Sequence, residues 1–185
     1  MGLGRTACTG RGCRGATVVQ MFVLGIDPGL TRCGYGAVVV EGRRNRAVAA
    51  GVIRTDPAHT VPQRLYDLQG EIRSLIAELS PTVVAIERVL FQHNVRTAIS
   101  VGQASGIVMA EAIAVGADVV EYSPNQVKEA VAGHGSASKG EVEQMVQALL
   151  GIQQPLRPVD AADAVALALC HLAYCPASAQ RRTSR

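Results

Sequence analysis

The 185-residue chain predicts an α/β domain: a mixed five-stranded sheet, with an antiparallel three-strand meander plus parallel strands, flanked by helices. Three observations predict it. Strand-like runs at 22–27, 34–40 and about 47–54 follow one another with only short turns between them, as in a meander. Two further short apolar runs, 83–87 and 118–122, each come after a helical stretch, as in parallel crossovers. The segments beyond 122 carry helix-start signals, so the order reads βββαβαβααα.

Gly29, Gly34 and the polar turn Gly42-Arg43-Arg44-Asn45 punctuate the first three runs. Leu65, Leu68, Ile72, Leu75, Ile76 and Leu79 form a helical stripe over 63–79, stopped by Pro81. The run 83–87 is rich in β-branched residues and reads as a buried strand. Residues 94–115 read as a long helix whose small residues, among them Gly102, Gly106 and Ala110, permit close helix packing. Ser123-Pro124-Asn125-Gln126 is a capping box with Pro at the first helical position. Ser138-Lys139-Gly140-Glu141 is a second capping box, opening a helix over 139–150. Pro155 and Pro158 bracket a linker before the last helix, 159–174. The domain spans 21–175. Residues 1–20, Gly/Arg-rich and aperiodic, read as a disordered extension with Met21 as an alternative start, and 176–185 as a loose basic tail.

With 48% hydrophobic and 18% charged residues the chain is globular, and its core is aliphatic because it has no Trp and only two Phe. No eighteen-residue window is apolar without a charge or a helix breaker, so no membrane partner is expected. The net charge of +3 misleads, because the arginines at both ends supply it. Residues 21–163 hold twelve bases and fifteen acids, so any nucleic-acid contact must use a local basic patch. The odd count of five cysteines, without a CxxC pair, predicts reduced thiols in a cytoplasm.

Four acids stand out: Asp27, Glu87, Asp160 and Asp163. Asp27 and Glu87 each end an apolar strand, while Asp160 and Asp163 open the apolar run 164–169, three apart and so on one helix face. A carboxylate carried to the interior by a strand is expensive unless a cation meets it. No Lys or Arg adjoins Asp27, Asp160 or Asp163 in sequence. Hard divalent cations such as Mg²⁺ are the expected partners, clamping the attacking and leaving oxygens of a phosphodiester and holding the carboxylates ionised. The bland readings are a strand-ending turn at Asp27-Pro28-Gly29 and simple helix capping at Asp160.

Lys128 and Lys139 are the only lysines, both in the capped-helix region, and are candidate phosphate contacts. The loop after Glu87 offers Leu90, Phe91 and His93 as DNA contacts; Phe91 either wedges a base step or packs the loop onto the core. Residues 133–140 look like a phosphate loop but fail GxxxxGK[ST] at Ser138 and Gly140. His93 and His134 lack a partner at metal-ligand spacing.

From Met21 to about Tyr174 the chain resembles the RuvC-type Holliday junction resolvases. The matching segments are Leu24-Gly25-Ile26-Asp27-Pro28-Gly29, Ala85-Ile86-Glu87-Arg88-Val89, Gln103-Ala104-Ser105-Gly106, Gln126-Val127-Lys128, the stretch 133–139 and Asp160-Ala161-Ala162-Asp163-Ala164. The resemblance implies an RNase H-like fold, a homodimer, and paired symmetric nicking of four-way junction DNA in recombination and repair. It further implies two Mg²⁺ per site, replaceable by Mn²⁺, a branch-migration motor complex as partner, and products with 5′-phosphate ends. Asp27, Glu87, Asp160 and Asp163 match the family's acidic tetrad, Lys128 and Lys139 its phosphate-contacting lysines. The family often has an aromatic where Leu90 stands; here the ring follows at Phe91. Two rival readings remain: a non-catalytic junction-binding module, and an actin-like nucleotide hydrolase, whose phosphate-binding turn Asp27-Pro28-Gly29-Leu30-Thr31 also resembles.

Overall fold

The structure, a computed structural model, describes residues 21–42, 44–88 and 95–175. The candidate DNA contacts Leu90, Phe91 and His93, and the segments 1–20 and 176–185, lie outside the described residues. The elements are β1 (Phe22–Asp27), β2 (Arg32–Glu41), β3 (Arg44–Arg54), α1 (Val61–Leu79), β4 (Val83–Glu87), α2 (Val95–Ala114), β5 (Asp118–Tyr122), α3 (Pro124–Ala132), α4 (Lys139–Leu150) and α5 (Val159–Tyr174). The predicted order βββαβαβααα is the observed one.

Three starts come earlier than the sequence reading placed them, among them that of β3, since Arg44 and Asn45, read as turn residues, pair with Glu41 and Val40. β2 begins at Arg32, because Arg32 and Cys33 already pair with Arg54 and Ile53. α1 begins at Val61, because Thr60 is its N-cap and the Gln63 side chain accepts from the Thr60 N–H at 3.1 Å.

The sheet order is β3-β2-β1-β4-β5. β1–β2 and β2–β3 are antiparallel, and β1–β4 and β4–β5 are parallel. Strand residues alternate between two cores, as a period of two requires. Leu24, Ile26, Val84 and Ile86 point into the core shared with Leu68, Ile72 and Ile76 of α1 and Ala104, Val108 and Ala112 of α2. Val23, Val83 and Ala85 point into the opposite core, with α5, Val131 of α3 and Val146 of α4. The result is three layers around one sheet.

α5 is the central helix of its layer, buried from Ala161 to Leu172 except at Asp163. It lies on bare strand backbone. A Cβ on Gly25 would stand 1.9 Å from the Ala164 carbonyl oxygen, and one on Gly34 would stand 2.2 Å from that of Asp160. Any side chain at these two glycines would lift the helix from the sheet.

α2 has, over Thr97–Ala114, the length and composition of a bilayer-spanning helix. Its inner face nonetheless packs in the core, and its Glu111 is buried against α1. There it accepts from Arg73 Nε and Nη2 at 2.9 Å each and from Gln69 at 2.6 Å. Such a clamp to a neighbouring helix is a feature of a protein core. Cys33 and Cys170 are buried free thiols, and burial pushes both up to about 12, so they stay protonated.

Candidate active site

The acid cluster follows directly from this topology. Ile26 of β1 pairs in parallel with Ile86 of β4, so Asp27 and Glu87 leave adjacent strands at the same end of the sheet. Neighbouring strands lie about 4.8 Å apart, which forces the two carboxyls together. Each carboxyl acts on the other, and their closeness favours a shared proton over two full charges. α5, seated on Gly25 and Gly34, brings Asp160 and Asp163 from its first two turns over the same end. Both act electrostatically on Asp27.

Crowding sets the protonation. Asp27 is pushed up from 3.8 to about 7, by burial first and then by Glu87, Asp163 and Asp160. Glu87 is also raised, chiefly by burial. The fully ionised state expected from the sequence thus depends on the cations that would hold it, since the four acids by themselves favour a proton on Asp27.

Two cations compensate the outer acids: Arg32, which the sequence reading missed, and Lys139, which it named only as a phosphate contact. Arg32, at the start of β2, is bound through Nε (2.8 Å) and Nη2 to Asp160. Lys139, the first residue of α4, reaches Asp163 at 2.7 Å and is raised mainly by that bond. Adjacency in sequence could not reveal them, since they lie 128 and 24 residues from their partners. Because Asp160 and Asp163 turn to these cations, no three acidic, His or Cys groups among the described residues stand ready to hold a metal as they are. The donor set still suits a hard cation: oxygen donors only, with a strand-borne pair whose repulsion a divalent ion relieves. A cation held by Asp160 and Asp163 would compete with Arg32 and Lys139 for them.

Lys128 of α3 does not touch the acids. It lines, with Glu87, Lys139 and Asp163, a pocket of about 400 Å³ floored by Val127, Val142 and Leu167. Both sequence-predicted lysines therefore flank one opening onto the acid cluster. His134 bonds Ser136 at 3.1 Å in the turn before α4, a local role as expected.

This fold, with two acids ending its central parallel strands and two more facing them from a helix, defines the RNase H-like nuclease class. Comparison with known proteins narrows the class to a family. The family model described as crossover junction endodeoxyribonuclease RuvC matches residues 23–171. The crossover junction endodeoxyribonuclease RuvC of Salinispora arenicola is 50% identical over 153 residues, covering 82% of this chain and 87% of that protein. The protein of the same name from Desulfitobacterium hafniense strain DCB-2 is 50% identical over 152 residues, covering 82% and 92%. A solved structure of Thermus thermophilus RuvC in complex with Holliday junction substrate superposes with a TM-score of 0.80 at 38% identity, covering 86% of this chain and 97% of that one. The chain belongs to the RuvC family of crossover junction endodeoxyribonucleases.

Proposed function

We propose that this protein resolves four-way DNA junctions by paired, symmetric, Mg²⁺-dependent nicks in two opposed strands. The observation that carries this reading is the placement of Asp27 and Glu87 on adjacent parallel strands, faced by Asp160 and Asp163 of α5. Binding DNA phosphates alone does not call for four clustered negative charges, which disfavours a junction-binding module without catalysis.

Asp27, Glu87, Asp160 and Asp163 would hold the ions. Bound there, divalent cations supply an activated water and charge stabilisation at the leaving oxygen. The protein's own part is positioning. The strand pair fixes Asp27 and Glu87, and the glycine seat of α5 fixes the other two acids. Lys139, freed from Asp163, is placed to meet the phosphate, with Lys128 on the same rim. Mn²⁺, also a hard cation, fits the same donors.

A homodimer supplies two sites for two strands. The outer face of α2 supports this: Val95, Ile99 and Ile113 are 68%, 55% and 63% exposed. Gly102, Gly106 and Ala110 are exposed on the same helix and leave room for close approach of a symmetry mate.

The test is a nicking assay on a mobile four-way junction and on linear duplex, with Mg²⁺ and with EDTA, beside Asp27→Asn. Symmetric Mg²⁺-dependent cuts in the junction alone, lost in the variant, are expected. Junction binding without cuts would overturn the enzyme reading.

A further inference from the structure

A second groove, of about 740 Å³, adjoins the acid cluster through Arg32, which lines it. The turn after β1 and the starts of α1 and α2 form its walls. Arg32, Arg64, Thr31, Ser100 and Gln103 are among its lining residues. Arg32 therefore faces two ways: it lines this groove and bonds Asp160 of the acid cluster.

Arg64 is the informative residue. Arg32, Arg46, Arg73 and Arg157 each meet a carboxylate. Arg64 meets two neutral hydroxyls: its Nε donates to Thr55 Oγ1 at 2.9 Å and its Nη2 to Thr31 Oγ1 at 2.6 Å. Thr55 is itself buried and donates to the Leu30 carbonyl at 2.5 Å, which turns its lone pair toward Arg64. Arg64 as a whole is partly buried, and its guanidinium is tethered by two hydrogen bonds with no acid partner among the described residues. Its two hydrogen bonds orient the guanidinium but leave its positive charge available to an anion. The remaining N–H donors form a planar fork suited to two phosphate oxygens. The N-terminal ends of α1 and α2 add partial positive charge to the same groove.

We propose that Arg64, braced by Thr31 and Thr55, binds a non-scissile backbone phosphate of the DNA strand being cut. The strand then runs from the acid cluster past Arg32 into this groove, and the contact sets its register over Asp27 and Glu87. The inference rests on the junction-nicking reading.

The test is junction binding by the full chain in EDTA, where no cutting occurs, measured as affinity against salt concentration. Releasing one phosphate contact lowers the slope of log affinity against log salt by about 0.9. Arg64→Gln is expected to show that loss with affinity lowered about tenfold, and Arg64→Lys to keep the wild-type slope. A wild-type slope in Arg64→Gln would overturn the subsite, even if the variant melts earlier, since bracing alone does not alter counterion release. Single methylphosphonate substitutions in the DNA test the wild type independently of how any variant folds. One phosphate beyond the cut site should lower its slope; if none does, the subsite is overturned. A wild type that does not prefer the four-way junction over linear duplex would overturn the junction-nicking reading itself.

Discussion

Asp27→Asn is expected to stabilise the metal-free protein at alkaline pH while abolishing nicking. The carboxyl of Asp27 is pushed from 3.8 to about 7, because burial and the neighbouring acids oppose its charge. An acid with a raised native pKa binds more protons folded than unfolded between those values. Stability therefore falls as pH rises through about 4 to 7 and stays low above that window. The displacement from 3.8 to about 7 corresponds, at about 1.36 kcal/mol per pH unit, to about 4 kcal/mol at full ionisation. Glu87 shares the proton, so removing one charge recovers about half of this, ~2 kcal/mol. A chain of this size gains about 2–4 °C per kcal/mol, which predicts a melting temperature ~4–8 °C above wild type at about pH 8.5 in EDTA. At about pH 5 the folded wild type is protonated at Asp27, and the advantage of Asn shrinks to about a third. Calorimetry or scanning fluorimetry at the two pH values reads both numbers. A variant that melts below wild type at alkaline pH, or gains equally at both, would refute the claim that crowded charge destabilises this site.

Three further outcomes are expected. Gly34→Ala puts a methyl 2.2 Å from the Asp160 carbonyl oxygen; overpacking of this kind costs about 1–3 kcal/mol, and the melting temperature should drop by ~3–10 °C. The same variant should also lose part of the thermal gain given by Mg²⁺, and an unchanged melting curve would show that α5 is not seated there. Lys139→Ala removes a largely exposed ion pair, so stability should move by less than about 0.5 kcal/mol. Its nicking rate should drop at least about a hundredfold; normal cutting in a single-turnover assay would refute the phosphate role. Arg32→Gln removes the cation that competes for Asp160, so the Mg²⁺ concentration at half-maximal thermal shift should fall severalfold, and a rise would show that Arg32 helps rather than opposes the ion.

Most of the fold was legible because the signals were local. The capping boxes at Ser123 and Ser138 marked α3 and α4, and both appear as read. The stripe from Leu65 to Leu79 marked α1, and three of its members are fully buried. Thr60 was missed although the Thr-x-x-Gln signature stood in the sequence. The four acids were legible because each interrupts an apolar run where a charge is expensive. Their cations were not, since Arg32 and Lys139 reach Asp160 and Asp163 only through the folded chain. The same holds for Arg64, whose meaning lies in Thr31, in the turn between β1 and β2, and Thr55, just after β3, rather than in its own neighbours. Gly25 and Gly34 read as family motif and turn residues; only the folded helix shows that they are its bed.

The seat of α5 also orders events during synthesis. α5 is the last described helix in the chain, yet it covers the face of β1 and β2, the first strands made. Arg32 and Asp160 are 128 residues apart, so at ribosomal rates of ~5–20 residues per second roughly 6–25 s separate them. Once Glu87 has been made, the growing chain has the strand pair of acids but neither helix acid, and the glycine-floored face is bare. If the four acids act together as proposed, a nascent or truncated chain is no nuclease: the same event that hides the sticky face supplies the blade.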